Sequence, residues 1–352
     1  MNRKSVFWIG HLALVGLISI GTLPVDAAVK ARAKTTKSST ARSSRVVYSA
    51  ARAQSRKTKL SQARAVAMAR EMADTVLPRY KVDASGELVP DVRAAAAIIY
   101  DPLTNQILWE ENGQSQRSIA SITKVMTATV FLENSPDLSQ VVIVDKSDVF
   151  QASTTHLHRY DKVTADDLLH LVLIASDNAA ARALARVSPY GSVGFIARMN
   201  EKAAELGLET THYADPSGLL SENVSSAYDM ARLITHASQD ERISSIMRMN
   251  EYTVYNRGTQ PISFRSTNHL LRNGDVEVRA GKTGFISKAG YCLATVLRLP
   301  QTGQDVAVVV FGARSNAGRF MESRNLMTWV TSKATTLFAA QPVVPVSHQQ
   351  QQ

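Results

Sequence analysis

The chain has 352 residues, of which 45% are apolar and 20% are charged. This composition supplies enough apolar surface for a large core and excludes a chain that is disordered throughout. The single cysteine, Cys292, excludes an intrachain disulfide and argues against a thiolate metal site or a redox role. We expect it to be a small buried residue at the start of a strand.

The N-terminus has the order of an export signal. Two basic residues precede an apolar run from Val6 to about Ile20, and Val25 and Ala27 stand at the small-residue positions of a cleavage site. A run of about 15 residues is short of the roughly 20 that a membrane-spanning helix needs. We therefore predict a signal peptide over residues 1–27, cleaved near Ala27, rather than a membrane anchor.

Most of the positive charge lies just after this signal. Twelve Lys and Arg residues and no acidic residue lie between Ala28 and Arg70, so the remainder of a chain with formal charge +10 is close to neutral. The charge is therefore no argument for a globular domain that binds nucleic acid. Residues 28–85 are predicted to be a basic, partly disordered tether. Alternatively, residues 28–70 contact an anionic wall polymer or membrane surface.

The globular part reads as an early hairpin, a helical middle and a late set of strands. This order predicts an α/β fold, with a mostly antiparallel sheet flanked by helices and an inserted all-helical subdomain at about residues 135–247. The domain is expected to cover residues 86–340, followed by a disordered tail over 341–352. The predicted elements are a helix from Ser61 to Leu77, strands Ala94–Tyr100 and Gln106–Glu111, a buried helix Ser121–Leu132, a capped helix Ala165–Ala175, strands Val276–Thr283, Tyr291–Leu297 and Asp305–Gly312, and a helix Asn316–Phe338.

The most informative motif is Ser121-Ile-Thr-Lys124, at the head of the most apolar helix. Positions i and i+3 share a helix face, so the Lys124 amine is predicted to reach the Ser121 hydroxyl. A lysine can accept a serine proton only when its pKa is lowered, and burial in an apolar helix lowers it. Alone the motif is weak, since a chain of this length would contain one by chance.

Two further motifs carry polar groups. In Ser176-Asp-Asn178 the hydroxyl could relay a proton and the amide could hold a substrate carbonyl, although the same residues would also form a helix cap. In Lys282-Thr283-Gly284 a cation and a hydroxyl could bind a carboxylate, and the glycine would let a ligand approach the strand; a plain strand-to-turn junction is the alternative.

A pair of histidines invites a simpler explanation than metal binding. His156-Leu-His158 has the spacing of metal ligands but no third ligand, and its loop setting favours a surface or pocket-rim role. No metal or other cofactor is predicted.

Taken together and in this order, the three motifs match the signature of penicillin-binding proteins and class A β-lactamases. The sequence resembles the low-molecular-mass penicillin-binding proteins, the D-alanyl-D-alanine carboxypeptidases and endopeptidases of serine peptidase family S11. The resemblance runs from about Ala94 to Phe338. It includes Ile119 to Thr127, Asp215-Pro-Ser-Gly-Leu219 and Gly281 to Tyr291.

The resemblance implies a β-lactamase/transpeptidase-like fold and a role for each motif residue. Ser121 would attack the carbonyl of a D-alanine in a peptidoglycan stem peptide to form an acyl-enzyme, with Lys124 as the base. Ser176, Asn178 and Lys282 would complete the proton and charge network, and Thr283, Gly284 and Phe285 would bind substrate. The backbone N–H groups of Ser121 and Phe285 would form the oxyanion hole. β-Lactams would acylate Ser121, and the location would be the periplasm.

The sequence also bears on which member of the family this is. Glu209-Thr-Thr-His-Tyr213 departs from the deacylating segment of class A β-lactamases, which argues against that activity. Phe285 after Lys-Thr-Gly resembles the endopeptidases, where carboxypeptidases often have His. The last predicted helix, ending near Phe338, leaves no room for the C-terminal β-domain and membrane helix that many carboxypeptidases carry. We therefore favour an endopeptidase, with a carboxypeptidase, or a catalytically silent wall-binding protein, as alternatives.

Overall fold

The computed structural model describes residues 58–69, 72, 78–255 and 261–338. The predicted signal peptide, most of the predicted tether and the predicted tail lie outside these residues. By internal contacts the chain divides into residues 1–60 and 61–352, and the fold below is that of the second unit. Among the described residues, no helix has the length and hydropathy needed to cross a bilayer.

The described elements follow the predicted order, with strands early and late in the globular part, mainly helices between them and a helix at the end. In chain order they are α1 (58–69), β1 (Tyr80–Val82), β2 (Leu88–Pro90), β3 (Ala96–Asp101), β4 (Gln106–Glu111), β5 (Arg117–Ser118), a 3-10 turn (Ala120–Ile122), α2 (Thr123–Leu132), β6 (Val141–Ile143), α3 (Lys146–Val149), β7 (Lys162–Thr164), α4 (Ala165–His170), a π-helical turn (Leu171–Ala175), α5 (Asn178–Val187), α6 (Gly191–Glu205), β8 (Val224–Ser225), α7 (Ala227–Gln239), α8 (Glu241–Met247), β9 (Glu251–Val254), β10 (Ile262–Arg265), α9 (Leu270–Asn273), β11 (Glu277–Ile286), β12 (Gly290–Arg298), β13 (Asp305–Ala313), α10 (Asn316–Ser332) and α11 (Ala334–Phe338).

The centre of the molecule is a five-stranded antiparallel sheet in the order β11-β12-β13-β3-β4. Its inner strands are apolar at consecutive positions because both faces are covered. On β13, Val308 and Val310 pack with Trp329 of α10, whereas Val309 and Phe311 pack on the opposite face with the helical lobe. The predicted antiparallel sheet between layers of helices is confirmed.

The helical lobe between β5 and β11 packs around α2, all ten residues of which are buried. The predicted cap of the helix that begins at Ala165 is confirmed as a capping box, because the Thr164 side chain accepts from the Asp167 N–H and the Asp167 carboxylate accepts from the Thr164 N–H. The lobe is not entirely helical, since it includes the antiparallel pair β6–β7.

Several predicted boundaries differ from the structure. The helix predicted over Ala165–Ala175 changes to a π-helical turn at Leu171, and the last helix is interrupted at Lys333. Strand β11 continues to Ile286, so that Lys-Thr-Gly lies within the strand rather than at its end.

Ordered structure also precedes residue 86, where the peptidase domain is expected to begin. Strand β1 pairs with β2 before the central sheet begins. Arg79 Nη2 donates to the carboxylate of Glu322 on α10 at 2.9 Å, and the Trp329 indole N–H donates to the Leu88 carbonyl at 2.9 Å. These contacts attach the first hairpin to the last long helix, so folded structure begins by Arg79.

Candidate active site

The predicted nucleophile, Ser121, lies in the 3-10 turn that leads into α2. Ala120 in this turn has a φ of 49°, in the left-handed region. Two glycines approach the turn closely. A Cβ at Gly218 would lie 2.0 Å from the Ala120 carbonyl oxygen, and a Cβ at Gly284 would lie 3.1 Å from the Ser121 nitrogen. The turn is thus enclosed by backbone on both sides, which fixes the position of the Ser121 hydroxyl.

Lys124 is completely buried one turn after Ser121. Its Nζ lies 3.0 Å from Ser121 Oγ, 2.6 Å from Asn178 Oδ1 and 2.5 Å from the Ser217 carbonyl oxygen. The predicted contact between the Lys124 amine and the Ser121 hydroxyl is therefore present in the structure.

The charge state of Lys124 follows from this setting. Burial lowers its pKa from 10.5 to about 7, against the opposing effect of Asp215 and Asp177, while Arg182 lowers it further. A substantial fraction of the amine is therefore uncharged at neutral pH, and this fraction rises with pH. A neutral amine has two N–H bonds, and the oxygens of Asn178 and Ser217 can only accept. When they take both N–H bonds, the nitrogen lone pair faces Ser121.

The orientation of the Asn178 amide is set by its second partner. Its Nδ2 donates to the Ala152 carbonyl at 2.6 Å, which directs Oδ1 to Lys124. Asp177 holds the segment in place: one carboxylate oxygen accepts from the Ala180 N–H at 2.9 Å and caps α5, and the other accepts from the His156 N–H at 2.6 Å. Asp177 thus forms the helix cap that was the alternative interpretation of this motif. The Asn178 side chain faces the site, as its proposed functional role requires.

The second predicted pair, Ser176 and Lys282, is also in contact. Ser176 ends the π-helical turn with a φ of 62°, and Lys282 Nζ donates to its Oγ at 2.8 Å. Turns of this type are common at functional sites. Lys282 is 1% exposed, and burial, followed by the charges of Lys124 and Arg319, lowers its pKa well below the usual value.

The predicted site residues meet at one open cleft of about 500 Å³. Lys124 and Lys282 lie buried beneath it. Thr283 donates to the Thr267 hydroxyl at 2.7 Å, and the half-exposed ring of Phe285 stacks on Tyr291 with centroids 4.3 Å apart. The lining residues are Ser121, Ser153, Thr154, Ala175, Ser176, Asn178, Leu219, Thr267, Thr283, Gly284, Phe285, Ile286, Ser287 and Arg319.

A family profile described as D-alanyl-D-alanine carboxypeptidase, peptidase family S11, matches residues 83–315. The chain belongs to this family of serine D-alanyl-D-alanine peptidases. The fold and the family of enzymes that the motifs indicated are thereby confirmed.

Relatives and solved structures agree with this assignment. The chain is 33% identical over 255 residues to a D-alanyl-D-alanine endopeptidase of Escherichia coli, covering 71% of this chain and 82% of that protein. It is 28% identical over 259 residues to a D-alanyl-D-alanine carboxypeptidase of Bacillus subtilis, covering 72% and 65%. The crystal structure of the Streptomyces K15 DD-transpeptidase is similar with a TM-score of 0.64 and 26% identity, covering 69% of this chain and 98% of that one.

Sequence reasoning missed part of the site in this S11 peptidase. Arg319 of α10 lines the cleft, is 6% exposed and donates to the carbonyl oxygens of Gly284 and Cys292 at 3.0 and 3.2 Å. Burial lowers its pKa to about 10, which leaves it cationic at neutral pH. Nothing around Arg319 in the sequence marks it. Ser217 was missed because it contributes only a backbone oxygen, although its segment, Asp215 to Leu219, was noted as part of the resemblance.

The two histidines of His156-Leu-His158 separate in the structure. The side chain of His158 is 86% exposed. His156 packs on Phe264 with ring centroids 5.5 Å apart and has its Nδ1 3.5 Å from the Asp177 carboxylate. Within the described part of the chain, no group of three potential metal-binding side chains is found.

Proposed function

We propose that this D,D-peptidase hydrolyses D-alanyl bonds of peptidoglycan stem peptides through an acyl-enzyme on Ser121. One observation carries the assignment of roles: the buried Lys124 amine, with a pKa of about 7, lies 3.0 Å from the Ser121 hydroxyl. An amine whose pKa lies near neutral pH and that is oriented by two acceptors is suited to act as a general base there.

Acylation would proceed by attack of Ser121 on the D-alanyl carbonyl carbon. The hydroxyl proton passes to Lys124 Nζ while Oγ forms the new bond. The backbone N–H groups of Ser121 and Phe285 would receive the negative charge that develops on the carbonyl oxygen. Cleavage of the C–N bond then releases an amine, which takes the proton from Lys124 directly or through the Ser176 hydroxyl held by Lys282.

Deacylation would repeat these steps with water. A water molecule gives a proton to Lys124 as its oxygen attacks the ester carbon, and the proton returns to Ser121 Oγ when the ester bond breaks. Because Arg319 brings positive charge to the cleft beside the Thr283 hydroxyl, the substrate is expected to present a carboxylate there. The part of the substrate peptide that lies in the cleft would extend along β11 as an added strand.

The assignment of the nucleophile is tested with a fluorescent penicillin, which acylates the serine of such sites. We expect Ser121→Ala to abolish covalent labelling, a loss of about 1,000-fold or more. Ser287→Ala is the matched control, since Ser287 is an exposed serine on the rim of the same cleft, and it should label within about twofold of the unaltered protein.

Peptide mapping by mass spectrometry would place the label on Ser121. Labelling at another residue would contradict the mechanism. Absence of labelling in the folded, unaltered protein would instead favour a catalytically silent wall-binding protein.

The preferred substrate within the family is proposed to be a cross-link between two stem peptides. The half-exposed Phe285 ring stands in the cleft, stacked on Tyr291, and offers an apolar surface to a second stem. Three relatives at 32–33% identity are named D-alanyl-D-alanine endopeptidase, and the chain covers 78–82% of each. These observations support an endopeptidase, with a carboxypeptidase as the alternative.

Purified enzyme given cross-linked muropeptide dimers and monomeric pentapeptides distinguishes the two activities. We expect conversion of dimers to monomers with little free D-alanine. Because Phe285 would cover the second stem, Phe285→Ala should lower kcat/KM for the dimer about tenfold, with a smaller effect on the pentapeptide. Release of free D-alanine alone, with dimers intact, would show a carboxypeptidase instead.

A location in the periplasm, with the signal peptide removed near Ala27, is also proposed, and it accords with a substrate in the cell envelope. The twelve basic residues between residues 28 and 70 would then hold the enzyme near anionic wall polymer or lipid headgroups.

Adsorption to purified sacculi and to anionic vesicles tests this attachment. Because attraction between exposed charges is screened by salt, adsorption should fall as ionic strength rises from about 0.05 to 0.5 M. It should be lost when residues 28–70 are deleted. Equal adsorption with and without these residues would contradict the role of the basic segment.

A further inference from the structure

Asp215 lies outside the three motifs, yet its carboxylate organises the loop that contacts the catalytic lysine. We propose that Asp215 is a positioning residue that fixes the Ser217 carbonyl against Lys124 and so directs the amine lone pair to Ser121. This inference rests on the roles proposed above for Lys124 and Ser121.

Asp215 is 9% exposed. Its carboxylate is surrounded by hydrogen-bond donors from its own loop. One oxygen accepts from the Ser217 N–H at 3.0 Å and from the Ser217 hydroxyl. The other accepts from the N–H groups of Gly218 and Leu220 at 3.1 and 3.2 Å and from the Asn223 amide. Since these donors span residues 217–223, the carboxylate determines the shape of the whole loop.

The same loop is attached to the catalytic segment at three points. Lys124 Nζ donates to the Ser217 carbonyl at 2.5 Å, and the buried Thr127 hydroxyl donates to the Pro216 carbonyl at 2.6 Å. Gly218, with a φ of +76°, packs directly on the Ala120 carbonyl. A loop held this closely to both ends of the Ser-x-x-Lys motif transmits any change in its shape to the reacting groups.

The Ser217 carbonyl matters because it limits where the amine can point its lone pair. With both Asn178 Oδ1 and the Ser217 oxygen in place, the two N–H bonds of a neutral Lys124 are used and only the lone pair remains for Ser121. If the Ser217 oxygen moved away, one N–H bond could turn to Ser121 Oγ. In that orientation the amine donates to the serine instead of accepting its proton.

The charge of Asp215 has a second effect on the same amine. The charged groups that act on Lys124 are Asp215 and Asp177, which raise its pKa, and Arg182, which lowers it. Lys124 in turn lowers the pKa of Lys282, the other buried lysine of the site. Of the two carboxylates, Asp215 has the larger effect. Removing its charge should therefore lower the pKa of Lys124 and move the acid limb of acylation to lower pH.

The test compares the acylation of full-length Asp215→Asn and unaltered protein by benzylpenicillin from pH 5 to 9. We expect the limiting acylation rate constant of Asp215→Asn to fall about tenfold or more, because orientation is lost. The acid limb should move about 1 pH unit lower, because an adjacent opposite charge is lost. The dissociation constant of the non-covalent complex should change little. The same limiting rate and the same acid limb as in the unaltered protein would overturn the inference.

Asp229→Asn is the matched control. Asp229 is also buried, at 2% exposure, and its carboxylate accepts from the hydroxyls of Thr210 and Thr211 in the same lobe. It is not among the groups that act on Lys124. We expect lower thermal stability with an unchanged acid limb and limiting rate. A shift of the acid limb equal to that of Asp215→Asn would overturn the inference, since any buried carboxylate would then suffice.

If Asp215→Asn does not fold, Thr127→Val decides the question. This variant keeps the side-chain shape and removes the hydrogen bond from α2 to the Pro216 carbonyl. A lower limiting rate with an unchanged acid limb supports the inference, and an unchanged rate overturns it. Failure of the unaltered protein to be acylated would be a separate result that overturns the proposed function, and the inference with it.

Discussion

The active site depends on one buried amine whose two N–H bonds are used by oxygens that can only accept. Lys124 meets Asn178 on one side and the Ser217 carbonyl on the other, and both contacts are 2.6 Å or shorter. Burial removes the hydration that would keep the amine protonated, and the two acceptors decide where its lone pair points. Activation of Ser121 therefore requires a dry site and a fixed orientation at the same time.

The fold meets both requirements by bringing together distant parts of the chain. The helical lobe supplies α2 and the N-terminus of α5, the edge strand β11 supplies Lys282 and Gly284, and the loop that begins at Asp215 closes the site from a third side. Gly218 and Gly284 allow backbone to approach the Ser121 turn more closely than any side chain would. This close approach of backbone encloses the Ser121 turn while leaving the cleft open to a peptide.

The sequence predicted those features that side chains encode. Strands β12 and β13 were recognisable because their central positions are buried on both faces and therefore apolar at consecutive positions, and the motif residues were recognisable by type and order. Ser217 could not be found because a backbone carbonyl leaves no signature in the sequence. Arg319 was missed because its role depends on where α10 packs against β11. The π-helical turn that presents Ser176 follows from tertiary packing, since Leu171–Ala175 has the composition of an ordinary buried helix.

The titration of the Lys124 amine itself tests this account most directly. In protein labelled with nitrogen-15 at the lysine side chains, the Lys124 signal can be assigned by its loss in Lys124→Met. We predict that this signal titrates near pH 7, while exposed lysines titrate at about pH 10.4. A Lys124 amine that remains protonated up to pH 9 would contradict the claim that an uncharged lysine activates Ser121.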